Sequence, residues 1–211
     1  MKTLVRSSVL AGCLIGMAGW AFLISQKLAL GEGDWAKVIG AVLFSLGIIS
    51  VILFEASLFT GKIGYVNTKK KLLDSLIILV INLMVVFFIG LVYQEIKGPS
   101  QAMDSRLAKE WYEILIDAVG TGACIYITVE GYKKTKSFVP VILGIVVFIL
   151  AGFEHCVADM FFFGAAELHT WEGLKIWQGL GYIGLAILGN GIGSLLVRWL
   201  QLGFIKANKE S

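Results

Sequence analysis

Charge is scarce in this chain. Asp, Glu, Lys and Arg make up 16% of its 211 residues, against about 25% in an ordinary soluble domain, too little polar surface for a water-exposed fold. Proline is almost missing at 2 residues, and the 25 glycines are accompanied by none of the proline that a collagen-like repeat needs. Three cysteines, an odd number, exclude a disulfide scaffold. A hydrophobic content of 57% and a mean hydropathy of +0.83 exclude intrinsic disorder. Histidine occurs only at 155 and 169, and Glu154-His155 with Asp159 on one helix is not a zinc spacing, so no metal or other cofactor is expected. Cys156 adjoins His155 in sequence, but neighbours at i and i+1 do not share a helix face, so no enzyme is expected either. The net charge of +3 sits in short basic clusters, which argues against nucleic acid as a partner. A polytopic membrane protein remains, with the lipid bilayer as its first partner.

A bilayer is crossed by roughly 20 apolar helical residues, and on that measure spans fall near 8–25, 36–58, 72–93, 111–130, 138–166 and 174–200. Leu10-Ala11-Gly12-Cys13 has the form of a lipoprotein cleavage box, but the apolar stretch before it is too short for a signal peptide and the run continues past the cysteine. It is therefore read as the first span, with Gly12, Gly16 and Gly19 as a small-residue face. Six crossings put both termini on one side with Lys2, Arg6, Lys69, Lys70, Lys71, Lys133, Lys134, Lys136, Lys206 and Lys209. The opposite loops carry Glu32, Asp34, Glu95, Asp104, Glu110, Glu167 and Glu172. The positive-inside rule then makes both termini cytoplasmic, in a bacterial-type inner membrane.

Two spans are irregular in matching ways. The second ends in Phe54-Glu55-Ala56-Ser57-Leu58-Phe59-Thr60-Gly61, and the fifth carries Phe153-Glu154-His155-Cys156-Val157-Ala158-Asp159-Met160. Each lies second in its half of the chain, and three spans per half make the second half start from the opposite face. The fold class expected is therefore all-α and polytopic: one transmembrane domain over 1–211, two inverted three-helix repeats at about 1–95 and 105–205, and broken second and fifth helices. Glu55 and Glu154 are assigned to support the breaks, as carboxylates that accept from freed backbone N–H groups. His155, whose unperturbed pKa near 6.5 permits proton exchange, is placed facing a pore.

At these residues the sequence resembles the formate/nitrite transporter family of pentameric small-anion channels. Gly152-Phe153-Glu154-His155-Cys156-Val157-Ala158-Asp159-Met160 is similar to the family's Gly-Phe-Glu-His-Ser-Val-Ala-Asn-Met signature, and Leu58-Phe59-Thr60-Gly61 to its Leu-Phe-Thr-Gly-Asn loop. Weaker matches occur at Ala11-Gly12, Asn82-Leu83 and Leu188-Gly189-Asn190. The resemblance implies a central pore histidine at His155, a hydrogen-bonding neighbour at Thr60, a constriction at Leu58 and Phe59, and a vestibule lysine at Lys109. Phe153 is expected beside the constriction and Asn190 in the pore set. Lys62, Asp159 and Cys124 stand where the family usually has other residues, which leaves the anion open. With the first helix beginning close to Met1, the amphipathic N-terminal segment often seen in the family is expected to be nearly absent.

The function expected is a channel or proton-linked facilitator for small monovalent weak-acid anions such as formate, nitrite or hydrosulfide, one pore per protomer of a homopentamer, with the central His155 assisting protonation of the anion. A bare anion pays a large desolvation cost in an apolar passage, whereas its conjugate acid pays only that of a small polar molecule. The rivals are a proton-coupled secondary active transporter of a small carboxylate and a non-transporting scaffold or sensor.

Overall fold

The computed structural model describes residues 1–28, 35–167 and 174–210, the side chains of residues 174 and 206–210 excepted. His169, Glu32, Asp34, Glu172 and the side chains of Lys206 and Lys209 lie outside the described residues. Among the described residues the chain forms nine α-helices: α1 (Lys2–Leu28), α2 (Trp35–Leu53), α3 (Phe59–Ile63), α4 (Lys69–Lys97), α5 (Asp104–Leu107), α6 (Trp111–Thr135), α7 (Val139–Ala151), α8 (Cys156–Gly164) and α9 (Leu174–Glu210). Helices α1, α2, α4, α6 and α9 are each long and apolar enough to cross a membrane, and α7 with α8, bent by 59° at their junction, makes a sixth span. The six expected spans are all present, with the second and fifth interrupted.

These helices carry apolar residues on their outer faces. Leu46, Val80, Met84, Phe88, Leu143 and Leu188 are all exposed, a surface that suits hydrocarbon because each helix already pairs its own backbone groups. Trp35, Trp111 and Trp177 are also exposed, at the starts of α2, α6 and α9. Indoles at one level of a helical bundle match the amphipathic belt of a membrane interface. Close helix approach rests on glycine at two positions of the α6–α9 contact, where a Cβ on Gly122 or Gly193 would fall on the facing backbone.

The two interruptions are built alike. Each helix stops at a residue with positive φ, Glu55 at 51° and Gly152 at 76°, and resumes after an extended residue, Leu58 before α3 and His155 before α8. A break strands backbone groups that no water can reach, at a cost of several kcal/mol each. One asparagine answers each break. Asn82 on α4 accepts from the Phe59 amide (3.0 Å) and donates to the carbonyls of Ser8 (2.8 Å) and Ser57 (3.2 Å). Asn190 on α9 accepts from the Cys156 amide (3.0 Å) and donates to the carbonyls of Ala118 (2.9 Å) and Glu154 (2.8 Å).

This pairing fixes the register of the inverted repeat, and it corrects the expectation based on Phe-Glu. The matched positions are Glu55 with Gly152, Ser57 with Glu154 and Leu58 with His155, so the two Phe-Glu dipeptides lie two residues out of step. Backbone pairing, not side-chain identity, sets the correspondence. Glu55 is exposed and does not take the amides of the first break, and the Glu154 carboxylate turns to cations instead; both break-support assignments pass to the asparagines.

Asn82→Leu and Asn190→Leu each leave one amide and one break carbonyl, of Ser57 or Glu154, unpaired, with about 1–3 kcal/mol at stake per group; the Ser8 and Ala118 carbonyls keep their bonds within α1 and α6. Either variant is expected to lower the thermal unfolding midpoint of the detergent-solubilised protein sharply, while Lys69→Ala leaves it unchanged. An unaltered midpoint in both asparagine variants would remove the two caps as the fastening of the breaks.

Candidate functional site

Because both breaks lie inside the bundle, they leave a cavity on either side of them. The larger, of about 620 Å³, opens on the face of the α4–α6 connection and is bordered by Phe44, Phe148, Phe153, Arg106, Lys109, Glu154, His155 and Asp159, among others. The smaller, of about 310 Å³, opens on the face carrying the chain termini, and its walls include Val51, Glu55, Leu58, Lys62, Val129 and Lys133. Between them lie Leu58, Phe59, Thr60 and His155, each no more than 2% exposed. Two open funnels therefore meet at a closed neck.

The neck has one polar contact across the repeat. Thr60 Oγ1 and His155 Nε2 are 3.0 Å apart. His155 caps α8, its Nδ1 accepting from the Ala158 amide at 3.2 Å. That bond assigns the neutral ring's proton to Nε2, which donates toward Thr60 or toward a solute in its place. Phe148 stacks on the imidazole, 5.9 Å between centroids, and fixes the ring plane.

Above the neck, charges are concentrated. Lys109 Nζ bonds Asp117 Oδ2 (2.6 Å), Glu154 Oε1 (2.5 Å) and the Gly152 carbonyl (3.1 Å). Arg106 Nε lies 3.2 Å from Glu154 Oε2 and 3.3 Å from Asp159 Oδ1, with a second nitrogen on the Ala102 carbonyl (2.6 Å) and its guanidinium 4.6 Å from the Phe162 ring centre. Burial works against the charge on both cations. The carboxylates outweigh it, so the Lys109 ammonium, held chiefly by its bonds to Asp117 and Glu154, sits above the ordinary lysine value and Arg106 stays charged.

The expected site residues divide accordingly. His155, Thr60, Leu58 and Phe59 come together at the neck; Phe153, Lys109 and Asp159 border the larger cavity and Lys62 the smaller. Asn190 is wholly buried, its amide hydrogens both committed to backbone carbonyls, so it is a cap and not a pore residue. Cys124 borders neither cavity. Nothing in the sequence around Arg106 marks it, because it sits in a polar connection and only α5 lays it over α8; the one signal is the acidic residue at 159, which demands a compensating group once buried.

Comparison with known proteins agrees with this architecture. Residues 1–202 match the sequence profile of a family described as Formate/nitrite transporter. The chain is 24% identical over 203 residues to the "Formate channel FocA" of Haemophilus influenzae, covering 83% of this chain and 70% of that protein. It is 27% identical over 213 residues to the "Uncharacterized transporter YrhG" of Bacillus subtilis, covering 85% and 79%. Among solved structures, an "FNT family ion channel" superposes with a TM-score of 0.76 at 20% identity, covering 97% of this chain and 90% of the other. A "Pentameric formate channel with formate bound" gives 0.76 at 18%, covering 99% and 98%.

Removing one partner of a buried ion cluster costs about 3–5 kcal/mol because the remaining charges lose compensation. Arg106→Met is expected to lower the unfolding midpoint, and adding Glu154→Gln, which removes the carboxylate left without Arg106, to recover part of the loss. Additive effects of the two substitutions in a double-mutant cycle would mean that the residues do not share a charge balance.

Proposed function

The chain belongs to the formate/nitrite transporter family, and from that premise we propose that it is a channel or proton-linked facilitator passing small monovalent weak-acid anions through one pore per protomer. The observation that carries this reading is the pair of cavities on opposite faces converging on the His155–Thr60 contact. In this reading Lys109 and Arg106 draw an anion into the larger funnel, and Lys62 with Lys133 serves the smaller one. At the neck the Nε2–H group of His155 is the donor that meets the solute, while Leu58 and Phe59 exclude water and larger molecules.

The relatives suggest the substrate class, since one is named a formate channel and another was solved with formate bound as a pentamer. We extend both to this chain: a small carboxylate or inorganic anion of that size, formate, nitrite or hydrosulfide, and a homopentamer. The lysine clusters at 69–71 and 133–136 favour a cytoplasmic location for the termini in a bacterial-type inner membrane, which turns the larger funnel outward. A proton-coupled secondary transporter is the second reading, favoured by the ionisable cluster bordering the neck.

The test is anion flux into proteoliposomes of purified protein, comparing formate, nitrite, hydrosulfide, lactate and chloride, with His155→Phe alongside. Flux of weak-acid anions that falls at least about ten-fold in the variant is expected; absence of flux for every anion would overturn transport. Accumulation above equilibrium, driven by an imposed proton gradient, would select the symport reading.

A further inference from the structure

Lys27, Lys37 and Glu167 also border the larger cavity, but within the ion cluster joined through Glu154 the carboxylates outnumber the cations. Arg106 and Lys109 supply two positive charges, while Glu154, Asp159 and Asp117 supply three carboxylates. Glu154 has both oxygens on cations. Asp117 holds Lys109 at a side chain 25% exposed, where water screens it. Asp159 is different: Oδ1 meets Arg106, but Oδ2 is buried without a hydrogen-bond partner, on a side chain only 2% exposed. An orphaned oxygen on a buried carboxylate is a costly arrangement, and a proton on that oxygen removes the surplus charge.

The ionisable groups around Asp159 come from several elements. α5 contributes Arg106, the connection before α6 contributes Lys109, and the break contributes Glu154. His155 caps α8 one turn before Asp159, Cys156 begins that helix, and α9 contributes Tyr182, whose hydroxyl is likewise buried without a hydrogen-bond partner. α1 and α4, which also pack on α8, present Lys27 and Tyr93, engaged with one another at 5.3 Å and, through the Tyr93 ring, with Phe161. His155 is poorly suited to give up a proton, because its Nδ1 already accepts the Ala158 amide and a neutral imidazole is a weak acid.

We propose that Asp159 is the proton donor to the permeant anion in the larger cavity, with Arg106 holding the carboxylate that remains. This inference rests on the transport reading above. In the step, the Oδ2–H bond breaks with its electron pair kept by Asp159, and a new bond forms between that proton and the anion. The neutral acid crosses the neck, where Nε2–H of His155 serves as a hydrogen-bond donor only, and loses the proton to water on the far side. Water in the cavity reprotonates Asp159. An asparagine at this position, the residue the family signature carries, has no proton to give.

The experiment measures formate uptake and the accompanying interior pH change in proteoliposomes at one acidic and one neutral pH, for wild type, Asp159→Asn and Asp159→Glu. Infrared difference spectra of the same proteins on titration give a readout independent of flux. Asp159→Asn leaves two cations against two carboxylates, so a folded protein is expected, checked by its elution. The expected result is a carboxylic C=O band that titrates in the wild type and vanishes in Asp159→Asn, with proton-linked uptake lowered at least about ten-fold and restored in part by Asp159→Glu. Wild-type flux with an unchanged pH profile in Asp159→Asn, or no band dependent on Asp159, overturns the relay and leaves the transport reading standing. No flux in the wild type overturns both.

Discussion

A membrane helix that stops halfway must find partners for its severed backbone, and this requirement governs the protein's interior. Asn82 and Asn190 meet it with one acceptor and two donors apiece, each tying a break to two other helices. An amide side chain is the suitable group because it has both polarities and no charge to bury. With the breaks secured, Thr60 and His155 are carried to within 3.0 Å of each other from opposite halves of the chain. Without the caps, neither funnel would have a defined floor.

Electrostatics are layered on that frame. At the neck itself Leu58, Phe59, Thr60 and His155 offer only neutral groups, and full charges begin beside it at Glu154, to which Arg106 and Lys109 are locked. Free cations at that depth would hold a monovalent anion too firmly to release it, since charge interactions strengthen as water is excluded. Compensated cations give a shallower well. The protein therefore tempers its own attraction by supplying competing anions of its own.

Much of this was legible in the sequence, for reasons that differ by residue. Spans are visible because hydrocarbon demands long apolar runs, and the breaks because Glu, His and small polar residues interrupt those runs at 55–61 and 152–159. The inverted arrangement followed from three spans per half. Its register did not, since the equivalence of Leu58 with His155 rests on backbone bonds that no residue identity reveals. Likewise Glu55 and Glu154 share a dipeptide but not an environment: one is exposed beside a lysine-bearing cavity, the other 2% exposed between two cations. Arg106 depended on a four-residue helix in a connection, whose placement is a tertiary outcome.

The register of the repeat has a consequence for kinetics. At the two equivalent positions beside the breaks, one half of the chain places leucine and the other histidine, so the passage is built from a symmetric frame furnished unequally. A solute approaching from the larger cavity meets paired charges, then imidazole, then leucine; from the smaller cavity it meets Lys62, Lys133 with its Glu130 partner, and leucine first. Detailed balance forbids this asymmetry from driving net movement, but the wells flanking the central barrier differ in depth. Occupancy therefore saturates at different concentrations from the two sides, and unidirectional rates rectify even though the equilibrium distribution does not.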